Sequence, residues 1–399
     1  MRRDSPLSAS PGPTRVTVPS PTRTLSLSHS PPPTSIPSPV LPVLPLYTHL
    51  LAPPLLTGKP THPPPPPLPP SLAPPSLFTR RPTSTPRAMC PGAPAAAAAS
   101  DKSVCVMDAS GPLGHELVAR LLRRGYTVHA ATYGHSRDDE AALRRACSGG
   151  GGEAERLKLF RADPFDYHSI ADAVRGCSGL FCMFNAHDQA ASDEVMVEVE
   201  VRAAQNVLEA CAQTDTMERV VFTSSVTAVV WKDGHNLVDA FDEKNWSDLN
   251  FCRKLKLWHA LAKTLSEKTA WALAMDRGVD MVAINAGVIT GPGLSSDHPY
   301  LKGAPEMYED GVLVTVDAEF LAEAHLAVYE CPTAYGRYLC FNNAICRPED
   351  ALEFVQKLSP STQRSLPSDE LKVIPQRIQS KKLSKLMVEF ASDIYGDLD

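Results

Sequence analysis

From Ser103 onward, short apolar runs alternate with longer stretches of helical periodicity, and this alternation restricts the chain to one kind of architecture. The runs are 103–107, 127–132, 157–161, 179–184, 219–223 and 280–285. Each is too short for a helix and too apolar to leave one face wet. Between them lie helical stretches at 113–124, 137–147, 167–174, 194–212 and 252–277. In the first of these, Leu113, Leu117, Val118, Leu121 and Leu122 share one face, and Gly125 ends it. Strands buried on both faces, with helices between them, build a parallel sheet. Right-handed crossovers bring the C-terminal ends of such strands to one edge, where ligands bind. The expected class is therefore α/β. A Rossmann-type, doubly wound parallel sheet is predicted over 101–290, with a smaller C-terminal substrate lobe over 291–399. A glycine-rich stretch at 149–152 reads as a flexible insert.

The first hundred residues stand outside this pattern. They hold 28 of the 38 prolines, in runs such as Pro63 to Pro67. Proline removes a backbone donor and fixes φ, so a disordered tail is expected over 1–100. The tail is basic, rich in Ser, Thr and Pro, and poor in acids, which is the composition of a plastid transit peptide. The other reading is an over-extended gene model, with Met89 the true start. The tail carries +7 and the whole chain −6, which leaves −13 for residues 101–399. An acidic body without a basic stripe argues against a nucleic-acid partner. No run of 18 apolar residues occurs, so no membrane span is expected. The ten cysteines form no CxxC pair, and Cys105, Cys182 and Cys340 fall inside apolar runs. They read as core residues of a reduced, intracellular protein without structural zinc. The expected location is cytoplasmic, or plastid if the tail is a transit peptide.

The first strand leads into Asp108-Ala109-Ser110-Gly111-Pro112-Leu113-Gly114 and then a helix, which is the setting of a dinucleotide-binding turn. Gly111 would let the backbone approach a pyrophosphate, and Gly114 would let the helix pack closely on the strand. Asp108 and Ser110 complete the turn. Asp108 replaces the usual first glycine, at a position that often needs positive φ, which Asp tolerates better than most residues. Its charge allows two readings. A carboxylate about 5 Å from a phosphate charge costs roughly 3 kcal/mol at an effective dielectric near 20. Alternatively, Asp108 turns away and caps the helix.

Several segments carry a more specific resemblance. They are RLLRRGYTVHA (120–130), RVVFTSSVTAVV (219–230), NWSDLNFC (245–252), KTLSEKTAW (263–271), Gly291-Pro292, AEAH (322–325) and GRYLC (336–340). Over about 103–359 the chain resembles the plant cinnamoyl-CoA reductase and dihydroflavonol reductase group of extended short-chain dehydrogenase/reductases. The resemblance implies a reductase using NADP (NADPH) on phenolic or CoA-thioester substrates. Asp163 matches the residue that contacts the adenine amine. Tyr133 stands where the group has an arginine for the 2′-phosphate, and Arg137, Arg144 and Arg145 are candidate substitutes. Their other reading is a solvated helix face.

Hydride transfer to a carbonyl needs a proton donor at the nascent alkoxide. The family supplies Ser, Tyr and Lys, with Tyr and Lys four apart on one helix. Ser225 and Lys263 match the serine and the lysine, but His259 stands where tyrosine is expected. A neutral imidazole is a very weak acid. At an ordinary pKa near 6.5, only about a quarter of imidazoles are charged at pH 7, and a lysine cation one turn away would reduce that fraction. Weakened catalysis is therefore expected. Other departures gather at the same sheet edge. Cys182-Met183-Phe184-Asn185-Ala186 replaces the family's segment after strand four, and Ala286 replaces the proline beside the nicotinamide. Trp246, Phe251, Trp258 and Met183 are candidates for an aromatic pocket, although large apolar residues more often form core. Two functions stay open. One is a reductase of phenylpropanoid CoA thioesters or related carbonyls. The other is a non-catalytic relative that binds cofactor or a phenolic ligand and acts through a protein partner. An epimerase on this fold also uses the tyrosine, which weighs against that third reading.

Overall fold

Alternate residues of the first strand enter two separate cores, and this sets the layers of the protein. In β1 (Ser103–Met107), Val104 and Val106 point to one face and Cys105 and Met107 to the other. The computed structural model describes residues 102–133, 137–146, 152–184, 193–233, 240–291, 294–359 and 373–395. The tail expected over 1–100, Cys147, most of the 149–152 insert, and Asn185 and Ala186 lie outside the described residues.

After β1 come α1 (Gly111–Arg123), β2 (Thr127–Thr132), α2 (Arg137–Ala146), α3 (Glu153–Arg156) and β3 (Leu157–Arg161). They are followed by α4 (Tyr167–Val174), β4 (Gly179–Cys182), α5 (Asp193–Ala212) and β5 (Arg219–Ser225). Next are α6 (Leu249–Lys254), α7 (Trp258–Arg277), β6 (Met281–Ala286) and β7 (Val288–Thr290). The remainder comprises α8 (Ala304–Glu309), β8 (Val314–Asp317), α9 (Ala318–Glu330), β9 (Gly336–Cys340), β10 (Asn343–Ala344), α10 (Pro348–Leu358) and α11 (Lys381–Tyr395). Seven strands form one parallel sheet in the order β3-β2-β1-β4-β5-β6-β9. This is the doubly wound α/β architecture expected. Leu117 and Leu121 of α1 and Leu321 and Leu326 of α9 cover the Val104 face. Ile170 and Val174 of α4 and Val207 and Leu208 of α5 cover the Cys105 face. Cys105, Cys182 and Cys340 are core residues, as their apolar surroundings required.

Two expectations need correction. The stretch 252–277 is not one helix. Asp248 caps α6 by accepting from the Phe251 amide at 2.8 Å. The helix then closes with Leu257 N–H bonded to Cys252 O at 2.8 Å, around Lys256 at φ 54. That is a left-handed stop with lysine in glycine's usual place. The chain restarts at Trp258, which places His259 and Lys263 in the first turns of α7. The boundary expected at residue 290 also fails as a division of the sheet. β9 returns as its edge strand, paired with β6 in the register Ser225–Ala286–Cys340 across three strands. What lies over the edge is a small sheet in the order β10-β8-β7.

Candidate active site

The turn after β1 is shaped by backbone conformation. Asp108 has φ 67, as the first turn position was expected to require. Gly111 has φ 76, and a Cβ there would meet nothing within 4 Å, so its backbone faces open space. Gly114 is the reverse case. A Cβ would come within 2.4 Å of the Ala109 backbone, so only glycine lets α1 pack on the turn. The orphan amides at the start of α1 are thus open to an anion. Ser110, rather than Asp108, is the N-cap of α1, and its hydroxyl donates to the Asp108 carboxylate. Asp108 lines the main cavity and also the narrow apolar cleft beside it, so its charge borders the space a dinucleotide would take.

That cleft is bounded by Met107, Tyr133, Ala162, Pro164 and Ile170, an apolar slot suited to a base. Tyr133 is 37% exposed at its rim. Asp163 follows β3, but one carboxylate oxygen is used to accept from the Phe165 amide at 2.8 Å. Asp163 does not line the cleft. Arg144 and Arg145 are exposed on α2, and Arg145 donates to Ala141 O at 3.2 Å along its own helix. The side chain of Arg137 lies outside the described residues.

The main cavity, of about 400 Å³, brings together Ser110, Gly111, Gly114, Ser225, His259, Lys263 and Ala286. β5 delivers Ser225 at its C-terminal end, and Ala286 is its register partner on the neighbouring β6. The serine is also a turn residue. Its oxygen accepts from Thr227 N–H at 3.1 Å and from the Thr227 hydroxyl at 2.9 Å. With both lone pairs taken, the Ser225 hydroxyl is left to donate, which is what polarising a carbonyl requires. Thr227 in turn meets His259 Nδ1 at 3.1 Å. The threonine proton goes to Ser225, so the donor–acceptor balance assigns a proton to Nδ1. A neutral His259 therefore has Nε2 unprotonated.

Lys263 donates to Phe184 O at 3.1 Å and pairs with Glu200 of α5 at 2.7 Å. Both side chains of this pair are buried. The lysine is thus not the lone cation that the sequence reading placed beside the imidazole. Glu200 and Thr227 were both missed. The signal for Glu200 was there, because it falls on the buried stripe of Met196, Val199, Ala203 and Val207, where a lone carboxylate demands a partner. Tyr300, on the 3-10 turn Pro299–Leu301, was missed as well. Its ring lies 5.7 Å from that of His259, and its hydroxyl is 3.5 Å from Val314 O. Burial pushes this phenol well above its usual range. A phenol therefore stands in the cavity, but its hydroxyl is directed at backbone of the small sheet. Of the expected aromatic pocket, Met183 lines the cavity, whereas Trp246, Phe251 and Trp258 do not.

A buried polar network braces this edge from behind. The Glu267 carboxylate is fully buried. It accepts from Ser224 Oγ at 2.7 Å, Asn285 Nδ2 at 2.7 Å, and Arg337 Nε and Nη2 at 2.7 and 3.2 Å. Arg337 also donates to the carbonyls of Glu243 and Asn245, and its guanidinium lies 3.7 Å from the Trp246 ring centre. This joins β5, β6, β9, α7 and the 243–246 loop.

The geometry fits a dinucleotide laid from the apolar cleft, over the α1 terminus, to the Ser225–His259–Lys263 edge, with Asp108 the discordant group. Comparison with known proteins agrees. Residues 104–309 match the model of the NAD dependent epimerase/dehydratase family. Cinnamoyl-CoA reductase 1 of Petunia hybrida is 35% identical over 302 residues, which cover 73% of this chain and 88% of that protein. Dihydroflavonol 4-reductase of Zea mays is 32% identical over 331 residues, 76% of this chain and 88% of that one. Among solved structures, vestitone reductase from alfalfa (Medicago sativa L.) superposes with a TM-score of 0.54 at 26% identity, covering 71% of this chain and 91% of that one. The chain belongs to the NAD dependent epimerase/dehydratase family, as a cinnamoyl-CoA reductase-like extended short-chain dehydrogenase/reductase.

Proposed function

We propose that the chain is an NADP(H)-dependent reductase of phenylpropanoid CoA thioesters or related carbonyls, in lignin or defence metabolism, with His259 as its proton donor. The observation that carries this reading is the meeting of Ser225, His259 and Lys263 in one cavity with the α1 turn. Bound nicotinamide would supply the hydride. Ser225 donates to the substrate oxygen, since its lone pairs are engaged by Thr227. Lys263 keeps one of its three ammonium donors for a ribose hydroxyl, with the other two on Glu200 and Phe184 O. His259 delivers the proton only as imidazolium, from Nε2, because Nδ1–H is held by Thr227. This makes reduction slower near neutral pH than with a phenol, and it fades as pH rises. The choice of NADP over NAD rests on the resemblance alone, since no described arginine lines the cleft at Tyr133.

A second reading, a non-catalytic binder of cofactor or a phenolic ligand, is favoured by Asp108 at the turn. Titration of the purified chain with NADPH and NADH, followed by assay on feruloyl-CoA and the corresponding aldehyde, separates the two. Saturable NADPH binding with turnover is the expected result. Binding without turnover supports the second reading.

A further inference from the structure

Glu200 has no place in the proton route just described, yet it is buried against the lysine of that route. A buried ion pair contributes little net stability, because desolvation offsets the attraction. Its electrostatic consequence is larger. A phenol holding a proton is neutral and becomes an anion on giving it up, and a lone lysine cation assists that change. An imidazole holding a proton is a cation and becomes neutral, and a lone lysine cation favours loss of the proton before the substrate can take it. We propose that Glu200 is a positioning residue that cancels the Lys263 charge and so allows His259 to carry a proton.

This inference rests on the reductase reading of the site. The charge totals support it. Histidine, lysine and glutamate together carry +1 with the proton in place and zero after its transfer. A tyrosine and a lysine alone carry the same two totals. The step is balanced: the Nε2–H bond breaks, an O–H bond forms at the substrate oxygen, and the imidazole regains its proton from solvent. Apart from Asp108, the other described groups around the imidazole bring no negative charge to it. Ser225 and Thr227 are neutral hydroxyls. His298 and Tyr300 lie 6.3 and 5.7 Å away, ring centre to ring centre, and burial keeps the phenol protonated. Burial pushes the Cys182 thiol up to about 12, and Cys252 of α6 likewise to about 12, so both stay neutral. Asp108 lines the same cavity, on the turn after β1.

The test is an NMR titration of the His259 imidazole in dinucleotide-free protein, with its signal identified as the one lost in His259→Phe. In Glu200→Gln the midpoint is expected to fall by about one pH unit, a tenfold loss of imidazolium at neutral pH. The double variant Glu200→Gln/Lys263→Met, which removes both charges, returns the midpoint to the wild-type value. An unchanged midpoint in Glu200→Gln overturns the proposal. So does a double-variant midpoint well above wild type, since that would show the lysine acting uncompensated in the native protein. If the single variant does not fold, Lys263→Met decides: with Glu200 left uncompensated its midpoint should rise by about one pH unit, and an unchanged midpoint overturns the proposal. The readout requires neither cofactor nor turnover, so its failure is separate from failure of the reductase assay.

Discussion

Replacing Asp108 by glycine is expected to tighten dinucleotide binding about a hundredfold. The carboxylate borders both the cleft and the cavity, at the turn leading into the amides that would receive a pyrophosphate. At about 5 Å and an effective dielectric near 20, two like charges repel by roughly 3 kcal/mol. Glycine removes that charge and adopts the φ of 67 without strain. It also frees the Ser110 hydroxyl, now turned to Asp108, to donate to a phosphate oxygen. Fluorescence titration with NADPH measures the effect, and the gain should shrink at high salt as the repulsion is screened. Equal or weaker binding by Asp108→Gly would mean that the carboxylate supports the turn more than it repels the ligand.

Arg337→Met is expected to destabilise the fold by about 3–5 kcal/mol. The guanidinium is the cationic partner of the fully buried Glu267 carboxylate, and the remaining described donors to it, Ser224 and Asn285, are neutral. Removing the arginine leaves a charge without compensation in the interior. It also releases the carbonyls of Glu243 and Asn245 and uncovers Trp246. Urea denaturation followed by tryptophan fluorescence reads the change. Adding Glu267→Gln to Arg337→Met should recover part of the loss, because an amide is cheaper to bury than a lone carboxylate. A loss below about 1 kcal/mol in the single variant would show that the network tolerates an opening the structure does not reveal.

This network also shows what was legible in the sequence. Ser224, Trp246, Glu267 and Arg337 lie in four of the segments that carry the family resemblance, so those segments mark the bracing of the sheet edge as much as its chemistry. The strands could be read because short, doubly buried runs leave no alternative period. The first three fall on their expected residues, whereas β4 ends two residues early at Cys182. The break between α6 and α7 could not be read, because the left-handed residue is Lys256 and neither glycine nor proline marks the stop. β9 was not foreseen as part of the main sheet, since its pairing with β6 spans some fifty residues and depends on tertiary packing. At the site, Ser225 and Lys263 could be placed by position along the chain. Their partners Thr227 and Glu200 come from a turn and a separate helix, and Tyr300 reaches His259 from the 3-10 turn between β7 and β8. Only folding brings those together.

The pH dependence of kcat for carbonyl reduction, in the wild-type chain and in His259→Tyr, bears most directly on the imidazole as proton donor. The wild type should lose about tenfold per pH unit on the alkaline side, as Nε2 gives up its proton, while the tyrosine variant holds its rate across that range. A wild-type profile that stays flat between about pH 6 and 9, matching the variant, would contradict the account and place the donor elsewhere.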